Sequence, residues 1–122
     1  MKRDRSRSER GAVTAELALG LPVLLAVTTG LVWLLSVGAA QVRTIDAARE
    51  TARAVARGDD PGDAVALGRR VAPDGVRIEV VTRDGRVTVR ARGHVRGPGG
   101  LFDFLPGADV GAEAVATAEE ES

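Results

Sequence analysis

From Leu17 to Val42 the chain runs for 26 residues without a charged side chain, mostly Leu, Val, Ala and Gly. As a helix this stretch is about 39 Å long, more than the roughly 30 Å hydrocarbon core of a bilayer. The remaining residues carry too little apolar mass to surround such a helix, so the pattern predicts a single membrane span rather than a buried core helix. Gly20 and Pro22 are expected to bend or weaken it locally, and Ala26 and Gly30 form a small-xxx-small pair that permits close helix contact. Beyond the span, residues 43–57 keep a helical period, with Ile45, Ala48, Ala52 and Val55 on one stripe and Arg43, Asp46, Glu50, Arg53 and Arg57 largely off it. This segment prolongs the membrane helix into a stalk. Gly58 supplies a stop, and Asp60-Pro61 caps a short helix over about 62–71, bounded by Pro73, with Arg69 and Arg70 at its end.

From Val76 the period changes to two. Val76, Ile78 and Val80 alternate with Arg77 and Glu79, Arg83-Asp84-Gly85-Arg86 makes a turn, and Val87, Val89 and Ala91 alternate with Thr88, Arg90 and Arg92. Asp84-Gly85 is the preferred type I′ dipeptide. A third strand is expected over 109–118, with Val110, Ala112, Ala114, Ala116 and Ala118 on one face. A lone hairpin is marginal in water, so three strands covered by the stalk are about the minimum that folds. The predicted class is α+β: a long membrane and stalk helix, a short helix and a small antiparallel sheet. Glu119-Glu120-Glu121 reads as a solvated, frayed tail.

Composition narrows the chemistry. Trp33, Phe102 and Phe104 are the only aromatics, so the core is made of Ala, Val and Leu. Cysteine is absent, which removes disulfides, thiol nucleophiles and thiolate metal sites. His94, the single histidine, stands among Arg92 and Arg96 and reads as a plain sheet histidine, without evident partners for a dyad or metal site. Asp59, Asp60 and Asp63 lack the spacing of a calcium loop and read as capping residues. No phosphate loop or nucleophile elbow occurs. The expectation is therefore no enzyme activity, no catalytic residue, no metal or cofactor, and no small-molecule substrate. Basic and acidic residues number 17 each, so the global positive field of a nucleic-acid binder is missing. The balance is nonetheless uneven: residues 1–11 carry a net of +3 and residues 12–122 a net of −3. By the positive-inside rule this places the amino terminus in the cytoplasm and the carboxyl-terminal part outside.

Glu16 sits at the apolar edge, where an ionisable group is costly unless it lies at the headgroups or is paired. A cut between Gly11 and Ala12 would create an amine at Ala12, and Glu16 would be the fifth residue of the shortened chain. The two charges would then be one helical turn apart, or would pair between neighbouring subunits. The run Arg10-Gly11-Ala12-Val13-Thr14-Ala15-Glu16-Leu17, a basic leader ending in Gly with a Glu five places on and then an apolar helix, resembles a class III type IV prepilin signal. It is similar in particular to TadE-like minor pilins of tight-adherence systems, as are Pro22 within the span and the Ala- and Arg-rich segment Ile45 to Ala54. The resemblance covers about residues 10–57. It implies removal of the leader by a membrane prepilin peptidase that recognises Gly11, Ala12 and Glu16. Partners would be other pilin-like subunits and an assembly platform with its ATPase. Leu17, where members often carry an aromatic residue, argues against a major subunit. The implied organisation is a leader at 1–11, a transmembrane helix at 12–42, a stalk at 43–57 and an extracytoplasmic domain at 58–122.

Two other fates stay open on the residues alone. Gly38-Ala39-Ala40 resembles an ordinary signal-peptidase site, whose use would release residues 41–122, although Leu17–Leu35 is longer than the usual apolar region of such a signal. Without any cut the chain is a simple single-span anchor. Either fate suits a secreted or anchored small binding domain with no filament. Leu101, Phe102, Phe104 and Leu105, in the Gly- and Pro-rich stretch from Gly97 to Asp109, either tuck against the sheet or form an exposed knob for a partner subunit or the membrane surface.

Overall fold

A computed structural model describes residues 2–96 and 103–119. Helix α1 is Lys2–Ala56 and helix α2 is Pro61–Val71. Strands β1 (Val76–Arg83), β2 (Arg86–Val95) and β3 (Ala108–Thr117) follow. The strands form one antiparallel sheet in the order β1-β2-β3. The chain divides into two compact units, Met1–Leu34 and Leu35–Ser122.

The first unit consists of the amino-terminal part of α1, which is long and apolar enough to cross a membrane. Its large side chains are exposed all round, from Val13 and Leu17 through Leu25 to Leu34, with Leu19 at 75 %. A helix apolar on every face is suited to a lipid environment or to the company of other helices, and not to water. Two of its hydroxyls bond within the helix: Thr14 donates to the Arg10 carbonyl at 2.9 Å and Thr28 to the Leu24 carbonyl at 2.8 Å. Pro22 lies inside the helix and brings no N–H, which frees the carbonyl one turn earlier, at Ala18.

The second unit packs the last turns of α1 and the whole of α2 against one face of the sheet. The core is built from Ala47, Ala48 and Ala52 of α1 with Ile78, Val87, Val89 and Ala91 of the sheet. The buried stripe of α1 differs from the one its apolar residues predict. Ala48 and Ala52 are buried as expected, but Ile45 and Val55 are only half-buried, and Thr44, Ala47, Thr51 and Ala54 take the remaining inner positions. The physical reason is hydroxyl back-bonding: Thr44 donates to the Ala40 carbonyl and Thr51 to the Ala47 carbonyl, each at 2.8 Å. The threonines therefore enter the core without an unsatisfied donor, and their small size lets α2 approach. At that approach stands Gly68, where an added methyl would collide with Thr51 Oγ1 and come within 3.2 Å of the Ala47 carbonyl oxygen.

The punctuation follows the sequence closely. Gly58 ends α1 at φ +98°, and Asp60 accepts from the Gly62 and Asp63 N–H groups at 3.0 and 3.4 Å to open α2 at Pro61. Asp84 and Gly85 both have positive φ, 51° and 71°, as a type I′ turn requires. The third strand begins and ends one residue earlier than expected. Glu119 is not frayed: its N–H donates to the Ala56 carbonyl at 3.0 Å, while the Ala118 N–H reaches the Gly85 carbonyl at 2.7 Å. The end of β3 is thereby tied to the end of α1. Residues 120–122 lie outside the described residues.

Candidate functional site

Gly11, Ala12 and Glu16 all lie in α1 and are exposed, so the Gly11–Ala12 peptide bond is in helical conformation. Ala12 and Glu16, four residues apart, share a face. Among the α1 positions singled out for packing, Pro22, Ala26 and Gly30 are exposed, and a methyl built on Gly30 would meet nothing within 4 Å. Small residues thus leave an open face on the apolar helix.

In the loop between β2 and β3, Phe104 is 73 % exposed and Leu105 half-buried; Leu101 and Phe102 lie outside the described residues. Phe104 does not fill the core, whose largest fully buried side chains include Val87 and Val89.

The second unit also brings together residues that sequence reading did not connect. Gln41 donates from Nε2 to the Gly111 carbonyl at 2.8 Å, and its Oε1 accepts from the Gly111 N–H at 3.1 Å. The side-chain amide thus serves both polar groups that β3 turns to its open edge at this position, as a neighbouring strand would. Arg43 closes the other flank, donating from Nε to the Val71 carbonyl at 3.1 Å, where α2 ends.

The outer face of the sheet is strongly basic. Arg77 pairs with Arg92, Glu79 with Arg90, and Arg83 with Arg86, while Arg90 donates to Glu113 at 2.9 Å. His94 reads in the sequence as a plain sheet histidine without evident partners; in the fold its Nδ1 lies 2.8 Å from Asp109 Oδ1, because β2 and β3 place the two residues opposite each other. At this end of the sheet a concavity of about 590 Å³ is lined by Gly75, Arg77, Arg92, His94, Asp109 and Gly111, among others. The signal for it was in the hairpin. A two-residue turn at Asp84-Gly85 already sets Arg77 opposite Arg92, and only the third strand, remote in sequence, adds Asp109 and Gly111. Among the described residues no three His, Cys, Asp or Glu side chains gather as a metal site.

Comparison with known proteins bears on the helix. Residues 11–53 match the model of a family described as TadE-like protein. No curated protein and no solved structure matches the chain.

Proposed function

We propose, with the TadE-like match of residues 11–53 as premise, that this chain is a non-enzymatic minor pilin or pseudopilin of a tight-adherence type pilus or secretion filament. The carrying observation is the match itself, which begins at Gly11 and runs through the apolar helix into the stalk. In this reading the leader 1–11 is cut from Ala12 by a prepilin peptidase on the cytoplasmic side. The helix from Ala12 to Val42 holds the chain in the membrane and later packs against other pilin-like subunits. Residues 58–122 sit outside on the stalk, 43–57. An assembly platform and its ATPase would draw the subunit from the bilayer.

The exposed, apolar surface of α1 from Leu17 to Leu34 supports this, because the same side chains that suit lipid also suit neighbouring helices in a filament. Glu16 then has a role in each state. In the membrane it lies one turn from the Ala12 amine, and in the filament it sets axial register against the amine of a neighbour. Gly11 suits the cleavage step, since glycine weakens the helix there by about 1 kcal/mol relative to alanine and eases local unwinding for the peptidase.

The test is the amino-terminal sequence of the protein isolated from its own envelope. A start at Ala12 is the expected result. A start at Gln41 would make it a secreted small domain instead, and an intact Met1 would leave a plain single-span anchor.

A further inference from the structure

We propose that the concavity around Arg77 and Arg92 binds the phosphate of an anionic phospholipid headgroup, in the leaflet where the span ends. The inference rests on the membrane-anchored reading above and adds a lipid-recognition site to it.

The first argument is electrostatic. Arg77 and Arg92 stand directly opposite on the outer face of β1 and β2, and neither guanidinium makes a hydrogen bond or ion pair with any described residue. Cross-strand neighbours have Cβ atoms about 5 Å apart, where like charges destabilise a sheet. An anion between them turns that repulsion into two attractions, and guanidinium groups match phosphate oxygens in bidentate fashion. Gly111, opposite Arg92 on the next strand, has no side chain to fill the space, so a headgroup can reach the pair.

The second argument is position. Gly111 is the residue held by Gln41, one place before the end of the charge-free run. The adjoining groove is lined by Ser36, Ala39 and Ala40 of α1 together with Gly75, His94 and Arg96. The concavity therefore lies alongside residues 36–41. The part of the charge-free run before Ser36, Leu17–Leu35, is about 28 Å long as a helix and suffices for the hydrocarbon core. Residues 36–41 then fall among the headgroups.

The distribution of charge agrees. Arg43 reaches the end of α2, whose last turn holds Arg69 and Arg70, and Arg96 follows β2 at the same end of the unit. Asp59, Asp60 and Asp63 lie at the opposite end, between α1 and α2, where Glu119 meets Ala56. Arg57 pairs with Asp59 there and Arg83 and Arg86 flank the hairpin turn, while Asp74 and Asp109 lie at the basic end. Phe104 is exposed shortly before β3, which begins at the basic end with Ala108 opposite Val95.

The experiment uses the full chain reconstituted in phosphatidylcholine vesicles and in vesicles with an equal share of phosphatidylglycerol. Trp33, the only tryptophan, reports insertion through quenching by brominated acyl chains. Unfolding of the sheet is followed by circular dichroism. Phosphatidylglycerol should raise the wild-type midpoint by about 5 °C, an increment that high salt reduces. The increment should vanish in Arg77→Gln/Arg92→Gln and persist in Arg83→Gln/Arg86→Gln, where a second arginine pair lies at the turn. In phosphatidylcholine alone the first double variant should melt no lower than wild type, because its own repulsion is gone. Equal increments in all three proteins, or none in wild type, would overturn the proposal while Trp33 quenching still upheld the span. Absence of quenching would refute the membrane reading itself. Self-association in phosphatidylcholine that Arg77→Gln/Arg92→Gln abolishes would also overturn it, assigning the basic end to the acidic end of a second copy.

Discussion

A few side chains carry more of this structure than their type announces. Gly68 is needed because Thr51 and the Ala47 carbonyl occupy the space a methyl would take. Gly68→Ala should lower stability by about 1–3 kcal/mol, the usual cost of overpacking, and Thr51→Ala in the same chain should recover part of it. Denaturant unfolding in detergent, followed by circular dichroism, reads both. Gln41 holds Gly111 by two hydrogen bonds, each worth about 0.5–1.5 kcal/mol net. Gln41→Leu should therefore lower the midpoint and speed amide exchange at Gly111, whereas Gln41→Glu should keep the Gly111 amide protected without restoring the midpoint, since a carboxylate still accepts from the N–H but cannot donate to the carbonyl. Glu16→Ala belongs to a different class. It lies outside the folded core, so insertion should be unchanged and filament incorporation reduced, and normal incorporation in a pilus-producing cell would remove the register role.

At the scale of elements, the apolar part of α1 and the hairpin were both legible because each depends on local chemistry. A charge-free run, a glycine stop, an Asp-Pro cap and an Asp-Gly turn act within a few residues, and each appears where the sequence puts it. The hairpin turn depends on positive φ at two positions, which only Asp84 and Gly85 supply cheaply. Replacing both by Ala-Ala should lengthen or shift the loop, weaken the pairing of Arg83 with Arg86, and destabilise the unit by at least about 1 kcal/mol, measurable by amide exchange along β1 and β2. The inner stripe of the stalk was less legible. Apolar residues alone mark Ile45 and Val55, but packing against α2 selects the smaller Thr44, Ala47 and Thr51, whose hydroxyls bond to their own helix.

For the whole molecule, orientation is the testable quantity. The chain has no cysteine, so single cysteines are unambiguous reporters. In right-side-out membranes from cells that lack a prepilin peptidase, so that residues 1–11 are kept, Val115→Cys on the outer sheet face should react with a membrane-impermeant maleimide, and Ser8→Cys should react only after permeabilisation. The reverse pattern would invert the topology proposed here. The sequence by itself determined the membrane-length helix, the α+β class, the turn chemistry and the TadE-like segment, because periodicity, caps and charge are properties of neighbours along the chain. Tertiary structure alone decided that Gln41 closes the edge of β3, that His94 faces Asp109, and that Arg77 and Arg92 share an open concavity with Gly111. Those arrangements depend on a third strand up to 70 residues from its partner, and on how closely one helix can approach another. Such distances are set when the core closes, not by local preference.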